Sequence, residues 1–134
     1  MFNGPRRAYD SGSRTASSGR ELEAAALSRA ARQLEDCQRI WGEPGCEEQL
    51  SQALRHNQRL WTFFQGEWVS PECSLPRSLR VNLLQLSRFV DRRTFALLSE
   101  PNREGIQALV GINRQLADGL STRSSEPASS EAAA

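Results

Sequence analysis

Apolar residues recur at intervals of three and four along four stretches of this chain, and each stretch predicts a helix. The first runs over about 19–41, with Leu22, Ala26, Ala30, Leu34, Cys37 and Trp41 as its stripe. Ser18-Gly19-Arg20-Glu21 has the capping-box spacing at its start. Gly42-Glu43-Pro44-Gly45 stops it. The second stretch covers about 46–68 and aligns Leu50, Leu54, Asn57, Trp61, Phe64 and Trp68. Glu47 and Glu48 suit the positive end of its dipole. A turn follows at Ser70–Ser74. Pro76 fits the first turn of a third helix reaching about 99, where its missing N–H costs nothing. Leu79, Leu83, Leu86, Val90 and Leu97 form its stripe, with Leu84 and Phe95 beside it. Asn102 can cap the fourth helix, about 103–119, whose stripe is Ile106, Leu109, Val110, Asn113, Leu116 and Leu120. Gly119 sits near a C-terminal cap position. No stretch alternates with the period of a strand.

Short connections between helices make neighbours antiparallel, so the expected fold is all-α, a small bundle of about four helices. Residues 1–17 are rich in Gly, Ser and Arg and are expected to be flexible, with Tyr9 the one apparent anchor. Residues 18–120 are the helical domain. Residues 121–134 are Ser, Glu, Pro and Ala with one threonine and one arginine, and are expected to be a disordered tail.

Two asparagines break the pattern. Asn57 and Asn113 each fall inside an apolar stripe, where an amide without a partner costs about 1–3 kcal/mol. Arg59 follows the first closely and Arg114 follows the second. A third polar cluster, Asp91-Arg92-Arg93, lies on the third helix. If Asn57, Asp91 or Arg92, and Asn113 or Arg114 meet at one interface, they form a network that fixes helix register. The same residues could instead line a groove that receives a partner helix, and the two roles are compatible. Trp61, Phe64 and Trp68 carry the same two readings: core packing, or an exposed aromatic groove.

Composition narrows the function. A chain of 134 residues with 38% hydrophobic and 25% charged residues fits one globular domain with polar tails. No apolar run approaches the roughly 20 residues that span a bilayer, so no membrane insertion is expected. No apolar segment follows the initial Met1–Arg7, so no secretory signal is read there. Net charge is +1, which gives no general pull toward DNA, and no DNA partner is expected. All seventeen basic residues are arginine. Arg77, Arg80, Arg88, Arg92 and Arg93 crowd the third helix and could touch phosphates, which keeps RNA contact as an alternative. Cys37, Cys46 and Cys73 with the single His56 make no zinc spacing, so no metal or cofactor is expected, and the thiols read as reduced. There is no phosphate-binding glycine loop, nucleophile elbow or paired-histidine motif. Asp91 beside Arg92 reads as an ordinary ion pair rather than an acid with its orienting partner. No catalytic residue is assigned.

The polar clusters, taken in order, resemble the FlaF family of flagellar biosynthesis regulators of alphaproteobacteria over about residues 8–120. The resemblance rests on Ala8-Tyr9, Ser18-Gly19-Arg20-Glu21-Leu22-Glu23, and the run from Ala53-Leu54 through Asn57 to Leu60-Trp61-Thr62. It continues through Leu75-Pro76, Leu79-Arg80, Phe89-Val90-Asp91-Arg92, Thr94, Ile112-Asn113-Arg114 and Gly119-Leu120. Gly19 departs from a proline common in that family, and the stretch from Tyr9 to Ser18 is longer and richer in Gly and Ser. The resemblance implies a non-enzymatic cytoplasmic protein that binds flagellin as an export chaperone would and acts with the translation regulator FlbT. Two alternatives stand beside this: a regulator that contacts flagellin mRNA directly, and an adaptor that binds only FlbT. Asn57, Arg59, Trp61, Phe64, Trp68, Asp91, Arg92, Asn113 and Arg114 are the expected partner-binding or network residues.

Overall fold

The computed structural model describes the backbone of residues 12–125 and the side chains of residues 19–122. Four helices follow in order: α1 (Gly12–Arg39), α2 (Cys46–Val69), α3 (Arg77–Ser99) and α4 (Arg103–Ser125). No strand occurs among the described residues. The α1–α2 reversal depends on Gly42 and Gly45, at φ of 85° and 87°, a region that L side chains rarely adopt. Pro76 stands immediately before α3, and its carbonyl accepts the Arg80 amide at 3.0 Å. Asn102 caps α4 through a 2.7 Å bond from the Gly105 amide to its side-chain oxygen.

The helices pack as a ring. α1 lies against α4 on one side and α2 on the other, α2 against α3, and α3 only lightly against α4. The α1–α4 pair makes by far the most extensive backbone approach. Small side chains permit it: Ala24, Ala30 and Ala31 on α1 and Ala117 on α4 are all buried. The α1–α2 turn is pinned to the start of α4. Gln38 donates to the Arg103 carbonyl, and the Arg103 guanidinium sits 5.7 Å from the Trp41 ring. Cys37 and Cys46 flank that turn, both buried and both free thiols. Burial first, then the neighbouring Cys46 and Asp36, push the Cys37 thiol above its ordinary range.

Every member of the α2 stripe is buried. Its three aromatic rings form one cluster: Trp61 meets Phe64 and Trp68 edge-on, at 6.2 and 5.9 Å, and Phe64 stacks on Trp68 at 5.6 Å.

Elsewhere the structure departs from the pattern. α1 begins at Gly12, so Ser18 lies inside the helix and not at its cap. No proline occurs in residues 12–17, and extending an existing helix adds a hydrogen bond for each residue fixed. The buried face of α1 is Ala24, Leu27, Ala30, Ala31, Leu34 and Cys37, while Leu22 is 71% exposed. Close approach to α4 selects the face with the small side chains. α4 runs through Gly119 to Ser125, and Leu120 is buried on the added turn. Phe95, expected beside the α3 stripe, is 72% exposed. Ala8, Tyr9 and the last nine residues lie outside the described residues. Among the described residues no helix is long and apolar enough to cross a membrane.

Candidate functional site

Asn113 is the centre of a buried polar knot. Its side-chain oxygen accepts the Trp61 indole N–H at 3.0 Å. Its amide nitrogen donates to Asn57 Oδ1 at 2.7 Å and to the Leu27 carbonyl at 3.3 Å. One side chain of α4 thereby ties α1 and α2 together across the bundle interior. Asn57, Trp61 and Asn113 are all fully buried. Asn113 uses every hydrogen-bonding group it has, whereas Asn57 Nδ2 has no partner. The Asn57 amide is oriented by its neighbour, because the flipped orientation would aim two donors at each other.

The other expected residues lie around this knot and not in it. Asp91 accepts from Gln65 at 2.9 Å, joining α3 to the flank of α2. Arg114 pairs with Glu35 at 2.6 Å, joining α4 to the outside of α1. Arg92 is exposed on the outer face of α3. Arg59 is exposed beside the polar hollow that also holds His56 and Asp36. Arg93 lies over the Phe89 ring at 5.1 Å. Trp61 and Phe64 are closed off from the surface, so a docked partner could not touch them directly. Of the aromatic trio, only Trp68 lines an opening.

That opening was not legible from periodicity. A groove of about 680 Å³ lies where the N-terminal part of α1, the C-terminal half of α2, the Ser70–Leu75 turn and the end of α4 converge. Its apolar lining is Phe63, Trp68, Leu75 and Leu120. Phe63 stands 54% exposed and leans on Phe64 at 5.8 Å, so it is anchored yet open. Gly66 leaves open space where a side chain would be. The rim is held locally: Ser70 Oγ accepts the Glu72 amide at 3.1 Å and the Ser70 carbonyl accepts the Cys73 amide at 3.1 Å.

Two carboxyls meet in this groove. Glu23 on α1 and Glu67 on α2 share a hydrogen bond. Burial first, then that bond, then repulsion from Glu67 push the Glu23 carboxyl up to about 7, against an opposing pull from Arg20. Glu23 therefore keeps its proton well above the pH at which an ordinary glutamate loses it. Among the described residues no group of three His, Cys, Asp or Glu side chains is placed to hold a metal ion.

The family model for the flagellar protein FlaF matches residues 5–120. This chain belongs to the FlaF family. The match takes in all of the knot and the whole groove. No curated protein sequence and no solved structure matches the chain. Sequence reasoning missed Glu23, Phe63, Gly66 and Glu67 as site residues. Phe63 alone carried a signal, as an aromatic residue standing off the apolar stripe of its helix.

Proposed function

We propose that this chain is a non-enzymatic, cytoplasmic, chaperone-like regulator that binds unassembled flagellin and supports its synthesis and export together with FlbT. Membership of the FlaF family is the observation that carries this reading. The structure is compatible with it in a specific way. The bundle closes its own core with the Asn113 knot and still leaves an open groove with an exposed aromatic residue beside it. An amphipathic segment of an unassembled subunit could lay its apolar face there and be kept from aggregating. Export requires that the segment leave again, so a moderate affinity is expected.

Calorimetric titration of the full chain with monomeric flagellin, at low and at high salt, tests this. Micromolar or tighter binding that changes little with salt supports it. Absence of binding moves the role to an adaptor that meets flagellin only through FlbT.

A second reading has one observation in its favour. The outer face of α3 carries Arg88 and Arg92 one turn apart, both exposed, and among the described residues neither forms a salt bridge. Such a ridge could contact the phosphates of flagellin mRNA. Binding to that mRNA that falls steeply with salt and is lost on substituting both arginines would favour it.

A further inference from the structure

We propose that the groove between α1, α2 and the Ser70–Leu75 turn receives a flagellin segment carrying an arginine or lysine between apolar side chains, the cation lodging against Glu23 and Glu67. The inference rests on the flagellin-binding reading and names the chemistry of the segment.

Charge complementarity selects this occupant. Among the described lining residues Arg20 on α1 is the one cation, against Glu23 on α1, Glu67 on α2 and Glu72 on the turn. α4 contributes Leu120 to the described lining and no charge. The described lining is therefore net acidic, although the chain as a whole is at +1. An acidic segment or a nucleic acid strand would be repelled from it. A wholly apolar segment would cover two carboxyls and give them nothing in return, which is costly. A cation flanked by apolar residues matches both parts: the ammonium or guanidinium takes the carboxyls, and its neighbours cover Phe63 and Leu75.

The carboxyl pair makes this binding proton-linked. In the free groove Glu23 holds its proton up to about pH 7. An arriving cation favours the ionised pair, so the proton leaves to solvent as the segment binds. Affinity then rises with pH, by about tenfold between pH 6 and 8 for one such group.

The experiment titrates the full chain with monomeric flagellin at both pH values, alongside Gly66→Leu and the double variant Glu23→Gln/Glu67→Gln. A Cβ at position 66 meets open space, so Gly66→Leu places its side chain on the groove side with no clash at its root. Expected results are tighter binding at the higher pH for the parent chain, no such dependence for the double variant, and at least a tenfold loss for Gly66→Leu with an unlowered melting temperature. If flagellin binds Gly66→Leu as it binds the parent, the groove is not the site, while the flagellin reading stands. If Gly66→Leu abolishes binding but the double variant keeps the parent's pH dependence, the cation contact is wrong. If the parent binds no flagellin at either pH, the functional reading fails and this inference with it.

Discussion

Phe63 and Phe64 are neighbours in sequence on α2, yet one is 54% exposed and the other 1%. They belong to two faces of one helix. The inner face, with Asn57, Trp61 and Phe64, is sealed by α1 and α4 and held in register by Asn113. The outer face, with Phe63, Gly66 and Glu67, opens on the groove. The inner face satisfies its polar groups within the chain except for Asn57 Nδ2, whereas the outer face leaves an aromatic ring, a gap and a carboxyl pair for something else. Substitutions on the two faces should therefore separate stability from binding.

Trp61→Ala should have the largest effect. It removes a fully buried indole, two ring contacts and the bond to Asn113. A loss of about 3–5 kcal/mol is expected, read from denaturant melts. An unchanged midpoint together with lost flagellin binding would put this residue on the wrong face. Asn113→Leu comes next. It strands the Trp61 N–H and the Asn57 oxygen in the interior, at about 1–3 kcal/mol for each group. Asn57→Leu should cost less, because it also removes an amide nitrogen that has no partner. Equal costs for the two asparagines would show that Asn113 is not the hub.

The inner face was the legible one. The α2 stripe is long and strictly spaced, and its members are large, so one periodicity fits and the others do not. α1 shows the opposite case. Its alanines occur on several sides of the helix, so spacing alone admits Leu22 to the stripe, and the approach of α4 selects another face. Asn57 and Asn113 were visible as amides inside apolar stripes, but a bond to the Leu27 carbonyl has no sequence signature. Asp91 and Arg114 were drawn toward the same knot by their neighbours in sequence. Each sits instead on a helix flank, paired with Gln65 or Glu35. The groove gathers Glu23, Glu67 and Leu120 from three helices, and only the fold brings them together.

On the outer face, Phe63→Ala should change stability by less than about 1 kcal/mol, since half of the ring already faces water. It should nonetheless weaken flagellin binding by at least tenfold, measured by the same titration. A large drop in melting temperature would mean that Phe63 is part of the core and that the two faces are not separable.

Glu23→Gln is the subtlest test, because it changes a pH profile more than any single value. The Glu23 carboxyl rises from an ordinary 4.5 to about 7 on folding. Between those values the folded chain holds a proton that the unfolded chain has released, so this group's contribution to stability falls as pH rises through the window and levels off above it. A glutamine in its place has no charge to acquire, and its amide can still donate to Glu67. The variant and the parent should melt close together near about pH 5, and the variant should melt higher near about pH 8. Parallel melting curves across that range would mean that Glu23 is solvated enough to ionise freely, and the outer face would then lack the proton that couples it to a cationic partner.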